Sequence, residues 1–120
     1  MRIFGIGTDI VNIKRIKKNL MNKNNTFKNK VFSKSEILYC ENKKNPESYF
    51  AKRFAAKEAM SKALGTGIRQ QVKFKNIKII NDKFGKPNIK LKGSTELFLK
   101  KKIKNKKYSI YLSLSDDIPW

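Results

Sequence analysis

The chain has 120 residues, the length of one domain, and a chain of that size buries roughly two-thirds of its unfolded surface. Twenty-nine Lys and Arg against nine Asp and Glu give a formal charge of +20, a field that draws anionic partners: nucleic acid, an acidic protein or a polyphosphate cofactor. With no histidine and a single cysteine, Cys40, the composition excludes an intrachain disulfide and histidine acid–base chemistry and removes the commonest zinc ligand, which leaves carboxylates, lysines and a metal.

In chain order, Ile3–Ile6 predicts a short buried strand. Gly5 and Gly7 permit close backbone approach, and Asp9 stands at or just after the strand end, where an acid serves either as a ligand or as a turn or helix cap. The same glycines and Asp9 leave the N-terminal apolar run too short and polar for a signal peptide or a membrane span, so the expected location is the cytoplasm. Ile13, Ile16 and Leu20 space as a helix over Ile10–Leu20, ended by the NKNNT cluster. Ser33 and Glu36 form a Ser-x-x-Glu capping pattern ahead of Ile37 and Leu38.

Phe50–Gly67, FAKRFAAKEAMSKALGTG, predicts the main helix, stopped by Gly65 and Gly67. At about 100° per residue Phe50, Phe54, Ala51 and Ala55 share one apolar arc, and Glu58 projects into it beside Lys62. A carboxylate there calls for compensation by a metal or a phosphate-binding network, or by an i,i+4 ion pair with Lys62. Asp9 and Glu58 together would suffice for magnesium, which takes one or two carboxylates and completes its shell with water and substrate phosphates. Further on, Ile77–Ile80 reads as a strand, Phe84-Gly85-Lys86-Pro87 as a turn and Ile89–Leu91 as the returning partner. Ser94–Lys102 reads as a short basic helix, and Tyr108, Ile110, Leu112 and Leu114 alternate as a last strand. With no repeat, linker or boundary, residues 1–120 are expected to form a single α+β domain, a small, mostly antiparallel sheet packed against one long helix.

Four segments in this order and spacing, GIGTDIVNIKRI (Gly5–Ile16), RFAAKEAMSKALGTGI (Arg53–Ile68), NDKFGKPNIKL (Asn81–Leu91) and SLSDD (Ser113–Asp117), resemble the holo-[acyl-carrier-protein] synthase family of small phosphopantetheinyl transferases. The resemblance implies transfer of the 4′-phosphopantetheine arm of coenzyme A to a serine of apo acyl carrier protein, in support of fatty acid biosynthesis, with release of adenosine 3′,5′-bisphosphate. It implies magnesium on Asp9 and Glu58. Lys62 would stabilise the phosphate or relay the serine proton; relay would need a pKa lowered by burial, and electrostatic stabilisation is the preferred role.

For coenzyme A the resemblance implies Gly65, Thr66 and Gly67 as a backbone approach, the alternative being a plain helix cap. It places Gly85, Lys86 and Pro87 beside the adenosine 3′-phosphate, the alternative being an ordinary hairpin turn. Arg53 would be a further phosphate contact, against a solvated helix face. Arg15 would engage acidic residues of the carrier protein, assisted by Lys14 and Lys18. A homotrimer is implied, with active sites at subunit interfaces.

Two departures stand out. Where many family members carry Ser-x-Ser-His, this chain has Ser113, Leu114, Ser115 and Asp116, then Asp117; either acid is a metal ligand, a proton acceptor or a turn cap. Relatives usually continue past the position of Trp120 through one more apolar strand, so the expectation is either a truncated chain or a shorter sheet. The reading from another class is a basic nucleic-acid-binding protein, suited by the pI near 10.2 and by Lys100–Lys102 and Lys104–Lys107, interrupted at Asn105, but no groove-reading or RNA-platform motif accompanies those runs.

Overall fold

The computed structural model describes residues 2–116. Its spine is α4 (Pro46–Ala63), begun by a proline at its first turn, where the missing N–H costs nothing. Three shorter helices precede it: α1 (Ile13–Leu20), α2 (Thr26–Val31) and α3 (Lys34–Glu41). After it a 3-10 turn (Phe74–Asn76) leads into β1 (Ile77–Asn81), β2 (Pro87–Leu91) and α5 (Gly93–Lys102). The two strands pair antiparallel from Ile77 opposite Leu91 to Asn81 opposite Pro87. The single α+β domain with a small antiparallel sheet against the long helix is therefore the observed architecture.

Local chemistry explains several boundaries. Asn12 caps α1 by accepting from the backbone N–H groups of Lys14 and Arg15, which starts the helix at Ile13 rather than at the expected Ile10. The Ser33–Glu36 capping box forms as expected: Glu36 N–H donates to Ser33 Oγ (3.3 Å) and Ser33 N–H to Glu36 Oε1 (3.0 Å). α2 was not expected. It begins inside the Asn-rich cluster, with Asn25 in the left-handed region (φ 51°), and survives because Val31 and the following Phe32 are buried.

α4 serves two cores in succession. Phe50 and Ala51 join Ile16, Val31, Phe32 and Cys40; Met60 joins Leu64, Val72, Ile77, Leu91 and Leu99. Phe32 and Phe50 meet edge to face at 4.9 Å, and burial of each such ring stabilises the fold by about 1.5–3 kcal/mol.

The strands expected over Ile3–Ile6 and Tyr108–Leu114 do not form in the single chain. A strand is a relation between two backbones, and neither segment has a partner among the described residues. The first segment instead lies on α4. A Cβ added at Gly7 or Gly5 would overlap the carbonyl oxygens of Ala59 and Ala63, so both positions must lack a side chain. Ile6 (75% exposed) and Ile10 (95%) project into solvent, as does Tyr111 (84%) in the second segment.

Candidate active site

The glycine contacts of Gly5 and Gly7 lead the N-terminal segment across α4, which brings Asp9 to Lys62. Lys62 Nζ donates to Asp9 Oδ1 (2.8 Å) and to the Thr8 carbonyl (3.1 Å). The i,i+4 pair between Glu58 and Lys62 is therefore not the arrangement found: the lysine turns to the N-terminal segment instead. Glu58, half-buried one turn earlier on α4, has its pKa raised, chiefly by desolvation, then by the negative charge of Asp9, with Lys62 opposing both. The hydrogen bond to Asp9 is the main cause that pushes Lys62 up, so this lysine stays charged. A hollow of about 330 Å³ opens beside the cluster, lined by Thr8, Asp9, Ile10 and Lys62. With two carboxylates against one ammonium beside an open hollow, the arrangement has the charge to take a cation.

The other predicted residues fall into separate groups. Gly65 (φ +88°) ends α4: its N–H donates to the Lys62 carbonyl and that of Gly67 to the Ser61 carbonyl, so both glycine donors are taken by the helix end. Thr66 Oγ1 donates to the Gly67 carbonyl, and at Gly67 the space where a Cβ would sit is open. Lys102 Nζ donates to the Leu64 carbonyl (2.6 Å) and completes the cap from α5.

Gly85, Lys86 and Pro87 form the hairpin tip. Asp82 organises it: Oδ1 accepts from the N–H groups of Phe84 and Lys86, both at 2.9 Å, and the Asp82 carbonyl accepts from Gly85, which takes φ +86°. Lys86 is exposed, and Pro87 opens β2 where a ladder donor is dispensable.

Arg53 is not on a solvated face. It is 3% exposed, its guanidinium lies 4.4 Å from the centre of the Tyr39 ring, and Nη2 donates to Asn81 Oδ1. Arg15 and Lys14 are exposed on α1, as are Lys17 and Lys18. Asp116 accepts from Ser48 Oγ (2.6 Å), the main cause that lowers its pKa, and lies 3.6 Å from Lys52. Ten residues of helix, about 15 Å, separate Ser48 from Glu58, so Asp116 ties the C-terminal segment to the start of α4 instead of joining the Asp9 cluster. Asp117 lies outside the described residues.

Sequence reasoning missed Lys57, and it read Glu36 only as a helix cap and not as the partner of Lys57. Both are buried, and their charges meet at 2.9 Å. Lys57 Nζ also donates to the carbonyls of Phe74 (2.9 Å) and Ile77 (2.7 Å), and Glu36 Oε2 accepts from Ile79 N–H (3.1 Å). This network locks the rotation of α4 against α3 and β1, which turns the neighbouring Glu58 toward Asp9. Its only sequence signal was the spacing of Arg53 and Lys57, one turn apart on the face of Phe50 and Leu64.

Among the described residues no cluster of three or more His, Cys, Asp or Glu side chains could hold a metal, and no helix is long and apolar enough to cross a membrane. The model of the 4′-phosphopantetheinyl transferase superfamily matches residues 5–113. A holo-[acyl-carrier-protein] synthase of Pelagibacter ubique is 48% identical over 98% of this chain and 90% of its own length. The crystal structure of the holo-[acyl-carrier-protein] synthase from Neisseria meningitidis superposes with a TM-score of 0.85 at 40% identity, covering 97% of this chain and 90% of that one. The Helicobacter pylori enzyme, solved in complex with coenzyme A, gives 0.70 at 39% identity over 78% of this chain and 80% of its own. With its Asp9–Lys62 cluster on the central helix and its glycine-tipped hairpin, the chain belongs to the 4′-phosphopantetheinyl transferase superfamily, in the family of the holo-[acyl-carrier-protein] synthases.

Proposed function

We propose that this enzyme moves the 4′-phosphopantetheine arm of coenzyme A to a serine of apo acyl carrier protein, in the cytoplasm and in support of fatty acid biosynthesis. The serine oxygen attacks the phosphorus that bears pantetheine. A new P–O bond forms, the pyrophosphate P–O bond breaks, adenosine 3′,5′-bisphosphate leaves, and the serine proton passes to water. The observation that carries this reading is the pairing of Asp9 with Lys62 at one hollow, with Glu58 coupled to both, in a family whose relatives bear this name and include a coenzyme A complex.

Asp9 and Glu58 would hold magnesium. They are hard oxygen donors, and the pKa of Glu58 is raised first by burial and then by the charge of Asp9, both of which a bound dication would offset; two carboxylates leave room for water and phosphate oxygens. Bound there, the ion supplies charge neutralisation on the pyrophosphate. Lys62, held protonated by Asp9, stabilises negative charge on the leaving phosphate and is unsuited to take the serine proton. Gly65, Thr66 and Gly67 let the pantetheine pass close to the end of α4. Gly85, Lys86 and Pro87 approach the 3′-phosphate, with Lys86 as point charge, and Arg53 adds buried positive charge beneath them. Arg15, with Lys14, faces the acidic carrier protein.

The assembly we propose is a homotrimer whose sites form between copies. Two features support it: the exposed apolar residues of the unpaired N- and C-terminal segments, and the anchoring of the hairpin on the Arg53–Lys57 face of α4, about 100° from Glu58, which leaves the tip of a neighbouring chain to serve Asp9. Incubation with apo acyl carrier protein, coenzyme A and magnesium, followed by mass spectrometry, tests the reaction: the carrier gains one phosphopantetheine, and the gain disappears with chelator or with Glu58→Ala.

A further inference from the structure

The hairpin tip is exposed through Asp82–Lys86, with Phe84 85% in solvent, and among the described residues the two strands pair only with each other. A two-stranded hairpin of this kind is weakly stable on its own and needs an outside anchor to hold its tip in one place. Asp82 sets the internal shape of the loop, since all its bonds stay within it. The far ends of the strands are held by the buried Ile77, Ile79 and Leu91, and near the tip the link to α4 runs through Asn81, whose Oδ1 accepts from Arg53 Nη2 while its Nδ2 donates to the Gly85 carbonyl (3.0 Å).

Arg53 is a firm base for that connection. It is buried, its plane rests on Tyr39, and among the described residues it forms no ion pair with a carboxylate. Among the described residues its buried Nε has no hydrogen-bond partner, so the amide of Asn81 is a main outlet for the donors of this guanidinium. The chemistry selects an amide. A carboxamide accepts on one side and donates on the other; a carboxylate accepts on both, and a methyl does neither.

We propose that Asn81 is a positioning residue for coenzyme A recognition, fixing the Gly85–Lys86–Pro87 turn to α4 through Arg53 and thereby setting how strongly the enzyme discriminates the 3′-phosphate. This rests on the reading of that turn as the 3′-phosphate contact. Arg53 then acts on the cofactor partly through Asn81, and Lys86 owes its place to a relay of two hydrogen bonds.

The test compares steady-state kinetics of the wild type, Asn81→Ala and Asn81→Asp with coenzyme A and with 3′-dephospho-coenzyme A, alongside their melting temperatures. The wild type favours coenzyme A. Asn81→Ala raises KM for coenzyme A about tenfold, the loss expected of a charge-assisted anchor, with kcat within about twofold and KM for the dephospho form nearly unchanged. Asn81→Asp keeps the Arg53 bond, loses the Gly85 bond and shows the same loss of discrimination. A wild-type discrimination that survives both substitutions overturns the role of Asn81. Equal losses with both substrates, or a loss in kcat with a lowered melting temperature, overturn it in favour of a merely structural contact. A wild type indifferent to the 3′-phosphate overturns the reading of the turn itself, and the inference with it.

Discussion

Lys57 and Glu36 form an ion pair wholly removed from solvent, 2.9 Å from Nζ to Oε1, and the other hydrogen bonds of the two side chains go to backbone. Removing one partner strands a buried charge. Glu36→Leu or Lys57→Met alone is expected to lower unfolding free energy by about 3–5 kcal/mol, whereas the two together restore much of it, because two apolar groups leave no charge uncompensated. Chemical denaturation of the four chains measures this double-mutant cycle.

Glu58 carries the opposite burden at neutral pH. Its folded pKa lies above the ordinary value of 4.5, so the stabilisation from its protonated form is fully present below that value and is lost as pH rises through the folded pKa. Without metal, Glu58→Gln is therefore expected to melt higher than the wild type at pH 7. Added magnesium should raise the wild-type melting temperature at pH 7, do so much less in acid, and leave Glu58→Gln unmoved. Differential scanning fluorimetry across pH with a magnesium titration is sufficient.

Lys62 is charged throughout the working pH range because Asp9 raises its pKa above the ordinary lysine value. Its charged form is lost only as pH climbs past that elevated pKa, so kcat should show no fall attributable to lysine deprotonation between about pH 7 and 9. Lys62→Ala should lower kcat by about 10²–10³, with a smaller change in KM for the carrier protein. A pH–rate profile of both chains checks this.

Gly7 is where the N-terminal segment touches α4. Gly7→Ala puts a methyl group against the Ala59 carbonyl, so the segment must lift and Asp9 must leave Lys62. Neither core cluster includes Gly7. The expected result is a loss of activity of about a hundredfold in a chain whose helical circular dichroism is unchanged.

Arg15 projects from α1 into solvent, and the proposed function has it facing the acidic carrier protein. Arg15→Glu should lower kcat/KM for an acidic carrier protein by about tenfold at low ionic strength and by less at high salt, with KM for coenzyme A unchanged.

How far the chain could be read depends on where each residue finds its partner. The capping box of Ser33 and Glu36, the stop at Gly65 and the turn at Gly85 are local; their donors and acceptors lie within a few residues, and all three were legible. The apolar arc of α4 was placed about a quarter-turn from its true centre. Binary patterning assigns charged residues to solvent, yet Arg53 and Lys57 face inward beside Phe50 and Leu64 because Asn81, Tyr39, Glu36 and two carbonyls receive them. The unpaired end segments fail for a related reason, since period-two alternation marks a strand's faces and says nothing of its partner.

By itself, then, the sequence determined the helices and hairpin whose signals close within a turn or two, and the presence of Asp9, Glu58, Lys62 and the Gly85–Pro87 turn. Tertiary structure decided that Lys62 bonds to Asp9 rather than to Glu58, that Arg53 supports the hairpin from within, and that a buried Lys57–Glu36 pair sets the rotation of α4. The physical reason is that a charged side chain's position depends on the competition between water and a partner, and these partners are brought within reach only when the chain has folded.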